Sequence, residues 1–272
     1  MTLQPKQLYQ KLRHACRRIT WRQRALPDFL IIGAQRAGTT SLFRALSQHA
    51  RLYPSQPKEV HYFDGGGQPG TDNYARGEAW YRSHFPLRAV MGHDGKAFEA
   101  SPLYLYHPKV PARLHILLPQ ARLIVLLRDP VERALSQYFF SQRRGHEPLP
   151  LLQALQAEEQ RLQDAPEVSF YHHSYKTRGH YAEQLQRYLT LFPREQLLIL
   201  PSERWFSDPQ GVLQEVCAFV GVPPFAASPE LRNDAPQRPT PSIDPAVRAY
   251  LHDYFTPHNQ ALFALLGEEF GW

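Results

Sequence analysis

Hydrophobic and polar positions along the 272 residues alternate between two rhythms. Short unbroken apolar runs, such as Phe29-Leu-Ile-Ile-Gly33 and Leu123-Ile-Val-Leu-Leu127, read as strands buried on both faces. Between them apolar residues recur at helical spacing, as Leu42, Phe43 and Leu46 do. The pattern predicts strands at 28–33, 97–100, 122–127 and 196–200. It predicts helices at 5–20, 39–49, 74–84, 108–118, 130–144, 149–163, 179–192, 208–220 and 245–266. Strand–helix alternation implies an α/β fold: a single-domain, P-loop-like three-layer sandwich with a central parallel sheet flanked by helices. Such sheets bind ligands outside the carboxyl ends of their strands. Proline and glycine gather at 64–73 and 222–245, which read as surface loops near that cleft.

The first strand runs into Gly33-Ala-Gln-Arg-Ala-Gly-Thr-Thr-Ser41. Glycine permits close backbone approach, and the following helix start offers free N–H groups and partial positive charge. Arg36, Ala37, Gly38, Thr39, Thr40 and Ser41 therefore form a candidate cradle for phosphate or a related oxyanion. A nucleotide-hydrolysing P-loop would carry lysine directly after the second glycine. This chain has Thr39 there and places its cation at Arg36. A small-molecule kinase would instead use Asp129, after the apolar strand, to hold magnesium; the missing lysine and the presence of Arg128 count against it. A binding protein without turnover is the other alternative.

Charge is unevenly spread. The chain carries 31 basic and 25 acidic residues, a net +6. Residues 1–27 hold Lys6, Lys11, Arg13, Arg17, Arg18, Arg22 and Arg24 and no acid, so the remaining 24 basic residues face 25 acidic ones. Leu8, Leu12, Cys16 and Ile19 share one helical face of that segment. The division expected is a basic helical arm, 1–27, and a domain, 28–272. The arm fits weak contact with an anionic membrane or docking on the domain; nucleic acid is not expected, because no base-reading motif accompanies the charge. Cys16 and Cys217 allow at most one bridge and no thiolate zinc site. With no apolar run of about 20 residues, the expectation is a soluble, cytoplasmic protein. No carboxylate cluster is spaced for a metal, and the adjacent His172 and His173 diverge. Ser169-Phe-Tyr-His-His-Ser-Tyr-Lys176, aromatic and rich in histidine, is a candidate acceptor wall.

The loop at 33–41 resembles the 5′-phosphosulfate loop of sulfotransferases that use 3′-phosphoadenosine-5′-phosphosulfate (PAPS), closest to the heparan sulfate branch and its bacterial relatives. Pro57-Lys-Glu-Val-His-Tyr-Phe-Asp64 is similar to that family's E-V-H-F-F-D segment. The resemblance implies Glu59 as catalytic base and His61 as a substrate-side histidine. Leu123-Ile-Val-Leu-Leu-Arg-Asp-Pro-Val-Glu-Arg-Ala-Leu-Ser-Gln-Tyr138 resembles the 3′-phosphate site, which implies nucleotide contacts from Arg128 and Ser136. Arg178-Gly-His-Tyr and the closing segment from Asp244 extend the likeness along nearly the whole chain. Three departures stand out: Arg36 replaces the family's loop lysine, Ala100 a second lysine, and Pro236-Gln-Arg238 the K-G-R loop, of which Arg238 alone is kept. Arginine keeps the charge but donates no proton near neutral pH, so Arg36 is expected to act electrostatically. The resemblance implies sulfuryl transfer from PAPS, without a metal, to a hydroxyl or amine of a carbohydrate or small-molecule acceptor, leaving adenosine 3′,5′-bisphosphate. It fixes neither acceptor nor oligomeric state.

Overall fold

Five parallel strands form one sheet in the order β2-β3-β1-β4-β5, in a computed structural model that describes residues 17–231 and 242–272. They are β1 Phe29–Gly33, β2 Leu52–Pro54, β3 Lys96–Ala100, β4 Arg122–Leu127 and β5 Leu197–Pro201. Phe29 pairs with Phe98 on one side and Arg122 on the other, and Leu123 pairs with Leu197. Every residue of β1 is buried, as is β4 from Leu123 onward, which explains their unbroken apolar runs. The Phe29 and Phe98 rings stack at 4.8 Å. Strand β2 was not predicted from the sequence. It is three residues long, too short to show a period, and its terminal Pro54 suits an edge.

The helices are α1 Thr39–Leu46, α2 Gly77–Arg82, α3 Val110–Leu117, α4 Pro130–Arg143, α5 Leu151–Asp164, α6 Pro166–His172, α7 Tyr181–Leu189, α8 Ser202–Ser207, α9 Pro209–Val220 and α10 Pro245–Leu266. Helices α6 and α8, six or seven residues each, were also missed. The helix expected at 74–84 opens as a 3-10 turn, Tyr74–Arg76, before α2. Three starts share one device: Asp129, Asp208 and Asp244 each accept a backbone N–H of the first turn, followed by proline. The Asp129 carboxylate is thus engaged as a helix cap by Val131 N at 2.8 Å, which removes the motive for reading it as a magnesium ligand.

Helices α4, α5 and α10 enclose a side core of Leu135, Tyr138, Leu155, Tyr175, Leu251 and Phe255. Burying each such side chain contributes about 1.5–3 kcal/mol. Within it the fully buried Glu158 accepts from Lys176 N, Thr177 N and Thr177 Oγ1, pinning the turn that leads into α7.

Of the basic arm, residues 1–16 lie outside the described residues, and with them Cys16 and most of the helix expected at 5–20. In the described remainder, Arg17 and Arg24 both donate to Phe85 O at 2.8 Å. Guanidinium-to-carbonyl bonds hold this part to the domain, while Ile19 of the expected apolar face is 83% exposed. Cys217 is a buried free thiol. Among the described residues no helix is long and apolar enough to cross a membrane.

Candidate active site

The loop after β1 is shaped by packing from three sides. A Cβ on Gly33 would stand 2.5 Å from Leu105 Cβ, so only glycine fits there. Gly38 takes the left-handed conformation (φ 89°) and opens α1. Ser202 Oγ donates to Ala37 O at 2.7 Å, and Trp205 Nε1 donates to Ser41 Oγ, which itself donates to Gly38 O. The Ser41 hydroxyl is therefore committed to the loop's own architecture, leaving its backbone N–H for a ligand; Thr40 is exposed and Thr39 buried. The signal for Trp205 in the sequence is weak, since nothing local ties residue 205 to residue 41.

Arg36 adopts φ 70° and turns toward α4. Its Nε donates to Ser136 Oγ at 3.0 Å, and its guanidinium lies 4.8 Å from the Phe140 ring. Arg128 Nη1 donates to Arg36 O at 3.1 Å, and Tyr181 Oη fixes Arg128 O from behind. Burial, and then the charges of Arg143, Arg128, Arg133 and Arg144, lower the Arg36 guanidinium to about 10, still charged at neutral pH. Glu132 lies 3.9 Å from Arg128 but is paired on its other oxygen with Arg248 of α10. Arg133 is fully buried; it reaches Tyr175 O with one nitrogen, and its Nε and Nη1 have no protein partner. Arg36, Arg128 and the unpaired nitrogens of Arg133 gather positive charge beside the N-terminus of α1, an arrangement suited to a ligand carrying phosphate-like groups.

The second cluster follows β2. Glu59 N donates to Ala100 O at 3.0 Å, which sets Glu59 against the carboxyl end of β3, the neighbour of β1. Glu59 (φ 62°) and His61 (φ 52°) share the left-handed backbone of Arg36, and among the described residues no other non-glycine residue adopts it. Such backbone costs of order 1–3 kcal/mol per residue and gathers at functional sites. His61 Nδ1 donates to Asp64 Oδ2 at 2.6 Å, and His61 Nε2 lies 3.4 Å from Glu59 Oε2. Lys58 Nζ donates to Glu59 Oε1. Burial would raise the Glu59 carboxyl, but the His61 bond and the adjacent Lys58 outweigh it and hold it down at about 2. Burial would likewise lower His61, but its bonds to Asp64 and Glu59 carry it up to about 10. At neutral pH Glu59 is therefore anionic and His61 cationic, in a row bounded by Lys58 and Asp64.

Beneath this row lies a residue that sequence reasoning passed over. Glu99, on β3, is fully buried and accepts from Tyr81 Oη (2.5 Å), Ser101 Oγ (3.1 Å) and Tyr104 Oη (3.3 Å). The available signal was an acid in the middle of an otherwise apolar strand.

The expected acceptor wall divides. Phe170 stacks on Tyr106 at 4.7 Å and meets Tyr171 edge to face, forming an aromatic surface; burial, and then the charge of Asp64, raise the Tyr171 phenol. Gly67 covers His61: a Cβ there would be 3.0 Å from Nε2. Ser174, Tyr175 and Lys176 are buried, and His172 stacks on His146 at 4.1 Å instead. His173 bonds Ser169 Oγ and His146 O. His180, Glu183 and His258 bring ligand atoms within 4.8 Å of one another, but the two imidazoles stack in near-parallel planes 3.8 Å apart. In-plane lone pairs on parallel rings do not converge, so this is not metal-binding geometry as it stands. Arg238 falls outside the described residues. A depression of about 290 Å³ lined by Asp28, Lys96 and Arg122 lies at the amino end of the sheet, away from this chemistry.

The chain is similar to known proteins along most of its length. The family described as Sulfotransferase domain matches residues 26–233. The chain is 31% identical over 271 residues to bifunctional heparan sulfate N-deacetylase/N-sulfotransferase 2 of Bos taurus, covering 89% of this chain and 29% of that protein. It thus spans less than a third of that relative's length. It is 30% identical to heparan sulfate glucosamine 3-O-sulfotransferase 6 of Homo sapiens, covering 92% of this chain and 75% of the relative. A solved sulfotransferase structure from Alicyclobacillus acidocaldarius matches with a TM-score of 0.70 at 33% identity, covering 90% of this chain and 97% of that one.

Proposed function

The chain belongs to the sulfotransferase-domain family, and on that footing we propose that it transfers a sulfuryl group from PAPS to a hydroxyl or amine of a carbohydrate or small-molecule acceptor. The observation that carries this reading is the set of three left-handed residues, Arg36, Glu59 and His61, at the carboxyl ends of the adjacent strands β1 and β3.

PAPS, when bound, supplies the activated sulfuryl group and a bridge oxygen on which negative charge grows during transfer. Arg36, Ala37, Gly38 and the N–H groups of Thr39, Thr40 and Ser41 bind and orient the 5′ end, with Arg36 opposing the growing charge. Arg128 and Ser136 hold the 3′-phosphate, and Arg238 joins them by resemblance. Glu59 takes the proton from the acceptor. Held at about 2 by His61 and Lys58 it is a weak base in the free protein, and an acceptor that displaces Lys58 from Oε1 would raise its basicity. His61, charged at neutral pH, orients Glu59 and is not itself the base. Tyr106, Phe170 and Tyr171 form a half-buried aromatic cluster, and the names of the heparan sulfate relatives support a sugar acceptor.

Thermal stability with adenosine 3′,5′-bisphosphate tests the reading. At a hundredfold excess over its dissociation constant the bisphosphate should add about 2.7 kcal/mol without metal. Stabilisation by magnesium–ATP and not by the bisphosphate would overturn it.

A further inference from the structure

We propose that Glu99 is a positioning residue that holds the Glu59–His61 turn in its left-handed backbone through the hydroxyls of Ser101 and Tyr104. The proposal rests on the reading of Glu59 as the base, and concerns how that base is kept in place.

A hydroxyl carries one proton and two lone pairs. Ser101 Oγ donates to Glu99 Oε2 at 3.1 Å and accepts from His61 N at 3.3 Å. Tyr104 Oη donates to the same carboxylate at 3.3 Å and accepts from Tyr62 N at 2.9 Å and Phe63 N at 3.4 Å. Three consecutive amides, 61 to 63, therefore hang from one carboxylate by way of two hydroxyls. Because Glu99 consumes the hydroxyl protons, the lone pairs must point at the turn. Tyr81 Oη, at 2.5 Å, supplies a third donor from α2 and fixes the carboxylate itself. Nothing in packing alone explains an acid here: Phe98 and Ala100, its neighbours on β3, are fully buried apolar residues.

The arrangement needs the ionised carboxylate. A protonated Glu99 donates its own proton to one of these hydroxyls, and where that is Ser101 or Tyr104 the hydroxyl turns a lone pair away from the turn. The groups that face Glu99 are Tyr81, Tyr104 and Ser101, with the charges of Asp64 and His61 beyond them. Burial pushes Glu99 up; the Tyr81 and Ser101 bonds pull it down, Asp64 raises it and His61 lowers it, leaving it at about 7. Grip on the turn therefore strengthens as pH rises through neutrality.

Hydrogen exchange of the full chain, without nucleotide, reads the grip directly. Glu99→Gln should speed exchange of the His61, Tyr62 and Phe63 amides and leave adenosine 3′,5′-bisphosphate affinity unchanged. Turnover should fall by up to about 10²-fold, the scale of a small misplacement of a reacting group. It should also lack the rise with pH near neutrality expected of wild type, whereas a merely structural defect lowers activity evenly at all pH. Tyr104→Phe is the second variant: it should expose Tyr62 and Phe63 but not His61, which Ser101 still holds. Wild-type exchange at these amides in both variants would overturn the proposal. Wild-type turnover in Glu59→Gln would instead overturn the base assignment, whatever the exchange data show.

Discussion

Arg36 Nε and Ser136 Oγ meet at 3.0 Å although one hundred residues separate them in the chain. The bond ties the loop after β1 to the second turn of α4, so the two halves of the proposed nucleotide site share a side chain. Arg36→Ala should cost roughly 10²–10³-fold in turnover, the scale of a lost oxyanion donor. Arg36→Lys keeps the charge but loses the fork that reaches Ser136, and should recover only part. Steady-state rates and bisphosphate affinities of Arg36→Lys, Ser136→Ala and the double variant should show a coupling of about 0.5–3 kcal/mol; strict additivity would mean that the bond is idle.

Glu59→Gln should lower turnover by about 10²–10⁴-fold with nucleotide affinity intact. Lys58 is the more informative site. With Glu59 held at about 2, its protonation leaves no acid limb near the ordinary carboxylate range. Lys58→Met removes one of the causes, so the limb should move up into the range of a pH–rate profile. An unmoved profile would show that Lys58 does not hold Glu59 in solution.

His61 makes stability depend on alkaline pH. Its folded value, about 10, lies above its ordinary 6.5, so the folded state binds the proton more tightly. The stabilisation is fully present below 6.5 and is lost as pH rises through 10. Urea melts at pH 6, 8 and 10 should show wild type losing its advantage over His61→Gln stepwise; a constant gap would contradict the ion row.

Glu99 loses stability in the same direction, over a lower pH range. A carboxyl raised from 4.5 to about 7 costs the folded state stability as pH climbs between those values. Glu99→Gln escapes that loss, so its stability relative to wild type should improve between pH 5 and 8 even as its activity falls. This is the pattern of a strained functional group kept at the expense of stability.

Much of this was legible in the sequence for identifiable reasons. Strands β1 and β4 are buried on both faces, so their apolar runs announced them, and α10 was bounded by an Asp-Pro start and a glycine stop, Gly267. The anion loop was legible because backbone geometry and a single cation suffice to describe it. Strand β2 was not, since three residues carry no period, and α8 was not, since its work is done on residues 37 and 41 from across the sheet. The left-handed backbone at Glu59 and His61 left no trace, because glycine, its usual sign, is absent there. Nor could local sequence reveal that Lys58 and His61 would together depress Glu59, or that half of the 169–176 stretch would turn inward.

The ion pair between Arg248 and Glu132 joins α10 to α4 beside Arg128. Glu132 stands 3.9 Å from Arg128 on one oxygen and meets Arg248 on the other. The docking of α10 and the charge left on Arg128 are therefore one balance: whatever loosens that helix hands more of the carboxylate to Arg128.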